Sequence, residues 1–191
     1  MRITGGSARG IILDVPQKGE VRPATDFTRE RIFNCIGESI QNAFVLDCFA
    51  GTGAYGLEAL SRKAKMCTFL ELDTHVIQVL RLNCEKVCKS AQRSLNDSVK
   101  IINTDVFKIN VNLWDRIDYL FFDPPYRFWE ESRKQIFSFF NSFAKKFPNL
   151  ILVLEYPSHF IWPYDFQWQP LYPIKASKKK NTPEINLFKL M

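Results

Sequence analysis

Apolar and polar positions alternate between two spacings along this chain. Short, nearly unbroken apolar runs occupy Phe44 to Ala50, Met66 to Asp73, Val99 to Asp105, Ile117 to Phe122 and Leu150 to Glu155. Runs of this length, bounded by turn signals, predict buried strands. Between them, apolar residues recur at helical spacing. Phe27, Ile32, Phe33, Ile36 and Ile40 form one stripe, with Thr25 or Asp26 as its cap and Gly37 marking where it frays. Leu57, Ala59, Leu60 and Ala64 form a second, and Val76, Val79, Leu80, Cys84, Val87 and Cys88 a third. Phe128, Ile136, Phe137, Phe139, Phe140 and Phe143 form the last, on a helix expected over residues 128 to 143. The crossover from Val106 to Arg116 is too short for a regular helix. Phe166 to Met191 alternates and predicts two strands, with a turn over Lys175 to Asn181 and a last strand over Ile185 to Leu190. At the start, Arg2-Ile3-Thr4 and Ile11 to Val15 flank a glycine-rich stretch and predict a hairpin. Strands alternating with helices predict an α/β fold with a parallel sheet.

The 191 residues are most simply one domain, long enough to bury a core without staples. A formal net charge of +6 mildly favours an anionic partner such as nucleic acid. The five cysteines are odd in number and form no C-x-x-C pair, so they read as reduced core residues. With no signal peptide and no bilayer-length apolar run, a reducing cytoplasm is expected and a membrane is not. His75 and His159 with scattered cysteines give no metal-ligand spacing.

Two stretches carry chemistry. Asp123-Pro124-Pro125-Tyr126 closes the strand at Phe122. Open α/β sheets bind ligands at the carboxyl ends of their strands. The Asp123 carboxylate and the Pro124 carbonyl are two acceptors beside the flat ring of Tyr126. That set suits a planar heterocycle bearing an NH2 group; the plain alternative is a turn leaving a strand. Gly51-Thr52-Gly53-Ala54-Tyr55-Gly56 follows the first strand and is G-x-G-x-x-G within a βαβ unit. Glu71 ends the second strand about 20 residues after Gly51, where an acid holds ribose hydroxyls.

Such a glycine loop fits a dinucleotide or S-adenosylmethionine. Asp47 just before it would repel a pyrophosphate and suit a cationic ligand. Acids at four strand ends, Asp47, Glu71, Asp105 and Asp123, favour the methyl donor over NAD. Methyl transfer to an exocyclic amine then needs alignment, acceptors for the amine hydrogens, and a base taken out of its stack. The arginines of the first segment, Arg2, Arg9 and Arg22, with Arg29 in the helix after it, are candidate RNA contacts. The alternative is a β-ribbon that only covers the core.

Arg2-Ile3 with Gly6 and Arg9-Gly10, then Arg22-Pro23-Ala24-Thr25-Asp26 with Arg29-Glu30 and Phe33-Asn34, resemble the N-terminal signature of the RsmD family. Leu46 to Ala54 with Gly56 to Arg62 resembles its cofactor loop, and Asp123 to Tyr126 its catalytic motif. The resemblance runs in order from residue 1 to about 126. It implies a bacterial methyltransferase that places one methyl on N2 of a guanine, position 966, in 16S ribosomal RNA. The implied fold is a Rossmann-like, mostly parallel seven-stranded sheet with an antiparallel last strand. Residues 1–40 are then an RNA-contacting extension and residues 41–191 the methyltransferase domain. The implied sites are Asp123, Pro124 and Tyr126 for catalysis, with Tyr126 also meeting the base. Asp47, Phe49, Gly51, Gly53, Glu71 and Asp105 would hold S-adenosylmethionine, and Arg2, Arg9, Arg22 and Arg29 the RNA, with no metal. The expected partner is 16S ribosomal RNA within the small subunit or an assembly intermediate, met by a monomer. Cys48 stands where leucine is usual and Asn181 where glycine is usual; neither touches the proposed chemistry.

Asp-Pro-Pro-Tyr alone is shared with adenine-N6 methyltransferases, so the N-terminal signature carries the choice of guanine. A NAD-dependent oxidoreductase and an inactive RNA-binding assembly protein are the alternatives from other classes.

Overall fold

The computed structural model describes residues 1–16, 25–175 and 184–191. Its helices are α1 (Asp26–Ile36), α2 (Ala54–Ser61), α3 (Thr74–Ser90), α4 (Leu95–Ser98), α5 (Arg127–Glu131) and α6 (Arg133–Lys146). Its strands are β1 (Phe44–Cys48), β2 (Met66–Glu71), β3 (Val99–Asn103), β4 (Tyr119–Phe122), β5 (Ile151–Tyr156), β6 (Trp168–Lys175) and β7 (Glu184–Leu190). They form one seven-stranded sheet in the order β3-β2-β1-β4-β5-β7-β6. The strands from β1 to β5 pair in parallel, and β7 runs antiparallel between β5 and β6. Strand order reverses at β1, which puts a crevice beyond the carboxyl ends of β1 and β4. Pro170 and Pro173 fall on the edge strand β6, where a missing N–H is tolerated.

The central strands are covered on both faces, which explains their unbroken apolar runs. Along β4, Tyr119 and Phe121 enter a cluster with Phe33, Leu57, Phe69 and Val153. Leu120 and Phe122 point the other way, into Leu46, Leu70, Phe140 and Leu152. Local signals set the ends of α1. The Thr25 side chain accepts the Thr28 N–H at 3.2 Å, and Gly37 at φ 61° stops the helix and starts a 3₁₀ turn.

Two expectations are refined. The helix expected over residues 128 to 143 is broken at Ser132 into α5 and α6. The irregular crossover holds two 3₁₀ turns, Val106–Lys108 and Val111–Leu113.

The boundary expected at residue 40 divides no core. Among its described residues the first segment makes one isolated β-bridge, Arg2 to Ile12, yet Ile3, Ala8 and Leu13 are buried with Leu57 and Phe69. Its polar anchor is Glu58, fully buried on α2. Glu58 accepts the Thr4 and Gly5 N–H groups at 2.8 Å, the Thr4 hydroxyl at 2.8 Å and Arg62 Nε at 2.9 Å. A buried carboxylate with this many donors joins the two segments, and removing it would leave several buried groups unpaired.

Candidate active site

β1 delivers the chain into a tight loop. Phe49 has φ 58°, a left-handed conformation uncommon for a non-glycine residue, and it sits where the loop leaves the strand. Gly53 has φ 83°, and a Cβ there would lie 2.5 Å from Leu80 Cδ1. A Cβ at Gly56 would lie 2.4 Å from Cys67 Sγ and from Phe69 Cε1, so only glycine lets α2 lie this close to β2. The spacing of the glycine loop is therefore forced by packing as well as by any ligand.

Two carboxyls hold the loop in place. Asp47 is buried and accepts the Gly56 N–H at 2.8 Å. Glu71 accepts the Gly51 N–H at 2.9 Å through one oxygen, and the Leu72 and Asp73 N–H groups through the other. Burial pushes Asp47 up to about 8 against the Gly56 hydrogen bond, and the nearby Glu71 charge adds to the rise. Asp47 is thus not the unpaired carboxylate that the sequence suggested. At neutral pH burial keeps its proton on, so its charge does not by itself choose between a phosphate and a cation. Asp105 caps the 3₁₀ turn after β3 by accepting the Phe107 N–H at 3.0 Å.

The Asp123 corner closes the other side of the crevice. β4 pairs with β1 and β5, with Phe122 opposite Cys48 and Leu154. Asp123 and Glu155 therefore follow adjacent register positions at the strand ends. Burial first, then the neighbouring Glu155 and Asp47 carboxyls, push Asp123 well above the usual carboxylate range. Glu155 is raised too, chiefly by burial, with two hydroxyls pulling it back. Those are Tyr55, which donates at 3.2 Å to one oxygen, and Tyr126, which donates at 3.0 Å to the other. The Trp129 indole N–H donates to the Glu155 carbonyl at 3.1 Å. Tyr126 keeps 40% exposure, so its ring borders the crevice while its hydroxyl is held. The Phe49 ring lies 6.0 Å from Phe107 and 5.5 Å from Phe128, an apolar wall beside the loop.

The fold therefore brings Asp47, Phe49, Gly51, Gly53, Glu71, Asp105, Asp123, Pro124 and Tyr126 to the carboxyl edge of the sheet. The arginines divide. Arg2 and Arg9 are exposed, and Arg2 lies 3.5 Å from Asp26. Arg22 lies outside the described residues. Arg29 is a correction: it is fully buried, donating to the Arg2 carbonyl at 2.6 Å and to Asp26 at 2.7 Å. A helical stripe drawn from apolar residues alone left Arg29 on the polar side. In the fold its guanidinium ties the first segment to α1 and is not open to RNA.

Four residues escaped the sequence: Tyr55, Glu58, Asn83 and Glu155. Glu155 carried the signal already used for other acids, a carboxyl closing an apolar strand. Glu58 showed as an acid inside an apolar helical stretch. Asn83 is fully buried on α3 and gave no such signal. It accepts the Asp14 N–H at 2.8 Å and donates to the Asp14 and Thr52 carbonyls at 3.0 Å. The first segment is thus tied to the glycine loop itself.

Comparison with known proteins agrees with this architecture. Over 127 residues the chain is 38% identical to "Ribosomal RNA small subunit methyltransferase D" of Escherichia coli, spanning 66% of this chain and 61% of that protein. It is 38% identical over 129 residues to the protein of the same name from Haemophilus influenzae, spanning 65% of that relative. The chain thus spans somewhat less than two thirds of these relatives. Among solved structures, a putative methyltransferase, yhhF, from Escherichia coli superposes with a TM-score of 0.76 at 28% identity, covering 100% of this chain and 97% of the other. The fold is the Rossmann-like fold of methyltransferases. Residues 1–181 match the family described as "Conserved hypothetical protein 95", and the chain belongs to this family, the RsmD family.

Proposed function

We propose that this protein transfers a methyl group from S-adenosylmethionine to the N2 amine of a guanine, position 966, in 16S ribosomal RNA of the small subunit. The observation that carries the reading is the placement of the Asp123-Pro124-Pro125-Tyr126 corner. It ends the strand next to β1, so the acceptors for an amine face the glycine loop across one crevice. The names of the relatives support ribosomal RNA as the substrate class.

The residues present fit the donor. The loop passes close to α3 and β2 because Gly53 and Gly56 carry no side chain. Glu71 presents a carboxylate at the end of β2, where ribose hydroxyls sit in such folds. Asp47, whose hold on a proton is raised by burial and by the Glu71 charge, becomes a counter-charge when an ammonium group arrives beside it. The bound donor supplies a methyl carbon already activated by its sulfonium.

The rest is positioning by this chain. Tyr126 stacks on the flipped base. The Asp123 carboxyl and the Pro124 carbonyl take the two amine hydrogens and turn the nitrogen lone pair toward the methyl. Asp123 accepts through a carboxyl oxygen whose hold on a proton burial raises in the free protein. The two carboxyls, Asp123 and Glu155, stand where negative charge would offset the positive charge that grows on nitrogen. Holding the reacting atoms in line supplies much of the rate. Exposed Arg2 and Arg9 fit contacts to RNA phosphates. No helix among the described residues is long and apolar enough to cross a membrane. The reading expects a monomer in the cytoplasm.

The test is mass spectrometry of nuclease-digested 16S RNA from cells lacking the gene and from cells carrying it. The expected difference is one N2-methylguanine at the target position. An unchanged guanine, or a methyl missing from adenine instead, would overturn the reading.

A further inference from the structure

We propose that Glu155 is a specificity-determining residue, which accepts the ring N1–H of the target base and thereby selects guanine at the Asp123 corner. This rests on the reading of the site as a guanine-N2 methyltransferase and names the group that would recognise the ring. The starting point is the end of β5. Leu154 pairs with Phe122, so Glu155, one residue before the end of β5, lies at the register position beside Asp123 and on the same side of the sheet. Adjacent strands lie about 4.8 Å apart, so the two carboxyls are neighbours, and the Glu155 charge acts on Asp123.

Neither oxygen of Glu155 is free to swing. Tyr55 fixes one and Tyr126 the other. Tyr55 belongs to the helix that starts at the glycine loop, and its ring stacks on Phe121 at 5.2 Å between centroids. Tyr126 belongs to the catalytic corner. Glu155 is therefore aimed from two sides, one bound to the cofactor loop and one to the base-stacking ring. A carboxylate has about four lone-pair sites, so accepting two hydroxyls leaves room for a further donor.

The chemistry of the purine edge supplies that donor. Guanine carries N1–H next to its N2 amine, three hydrogens on neighbouring nitrogens. Asp123 and the Pro124 carbonyl meet the two amine hydrogens, and the third needs an acceptor beside them. A purine with a bare N1 would turn a lone pair toward the Glu155 oxygens, which accept from Tyr55 and Tyr126 and, as an ionised carboxylate, have no hydrogen to give. Burial raises the proton affinity of both carboxyls, and a hydrogen-bond donor arriving with such a base would offset that cost.

The experiment uses the full chain and small subunits reconstituted with 16S RNA carrying either guanine or 2,6-diaminopurine at the target position. The second base keeps the N2 amine and replaces N1–H by a lone pair. Initial rates of methyl transfer from S-adenosylmethionine give kcat/KM for each. The wild type should prefer guanine by roughly 10- to 100-fold, the range for one good base-reading contact. Glu155→Gln, whose amide offers a donor, should lower guanine turnover and narrow the preference about tenfold or more. A merely structural role would lower both rates together and leave their ratio unchanged. Equal wild-type rates on the two bases overturn the role of Glu155 while leaving guanine methylation standing, and they do so even where the variant is inert. A wild-type ratio retained by Glu155→Gln overturns it as well. A wild type that methylates no guanine overturns the functional reading, and this inference with it.

Discussion

The Gly51 N–H donates to a Glu71 oxygen at 2.9 Å, so the end of β2 and the turn after β1 are one unit before any ligand arrives. Glu71 also accepts two further backbone N–H groups. Replacing it by alanine removes the proposed ribose acceptor and three backbone hydrogen bonds at once. Glu71→Ala should weaken binding of S-adenosylmethionine by about 1 to 3 kcal/mol, the range for hydrogen bonds to a charged group. Isothermal titration calorimetry reads this directly, and an unchanged affinity would remove Glu71 from the cofactor site.

Residues 1–16 should not be separable from the rest. A chain starting near Gln41 would leave Glu58 buried without its Thr4 and Gly5 donors, and Asn83 without Asp14. Breaking a buried charged set typically costs about 3 to 5 kcal/mol. Glu58→Ala should therefore unfold at markedly lower urea concentration, and Asn83→Ala should weaken donor binding through Thr52. A shortened chain with wild-type stability and wild-type donor affinity would show that the shared core contributes little.

Asp47 sets a pH dependence. Its folded pKa is raised to about 8 from an ordinary 3.8, so the folded state holds a proton that the unfolded state gives up. Its contribution is most favourable below the unfolded value and is lost as pH rises toward the folded one. Between about pH 4 and 8 the ligand-free protein should lose stability from this group. Asp47→Asn keeps an acceptor for Gly56 and has no proton to lose. Its melting temperature should fall less steeply with pH than that of the wild type and exceed it at pH 8. Parallel profiles for the two proteins would show that Asp47 is charged in the fold.

Tyr126 has two tasks that substitutions separate. Tyr126→Ala loses the stacking ring, worth about 1 to 3 kcal/mol per base, and should be severe. Tyr126→Phe keeps the ring and frees one Glu155 oxygen, so single-turnover transfer should fall only a few fold. Equal losses in the two variants would mean that the hydroxyl, and not the ring, carries the role.

Much of the fold could be read from period alone. The runs at β1, β2, β4 and β5 are unbroken because each strand is buried on both faces, and the glycine loop and Asp-Pro-Pro-Tyr mark two strand ends by composition. What could not be read is what joins distant segments. Arg29 looks like a surface charge on its helix, and only the first segment folding over α1 and α2 buries it. Asp47 looks like a free charge, and only the packing of α2 on β1 supplies the Gly56 N–H and removes the water. Glu155 closes its apolar run in the sequence as visibly as Asp123 does. Its link to Tyr55 spans 100 positions in the sequence, and no spacing rule reaches that far. The turn expected over residues 175 to 181, with Asn181, lies beyond the described residues except for Lys175.

The central claim is that the Asp123 corner aligns an amine for methyl transfer. Single-turnover transfer from S-adenosylmethionine to undermethylated small subunits, with wild type, Asp123→Asn and Asp123→Ala, tests it most directly. Asp123→Ala should react roughly 100- to 1000-fold more slowly, as when one preorganised electrostatic partner is lost. Donor affinity should be nearly unchanged, because the residue faces the base. Asp123→Asn should retain more activity than alanine, since its amide oxygen still accepts. Near-normal transfer by Asp123→Ala would contradict the account and leave the corner as a turn that merely ends β4.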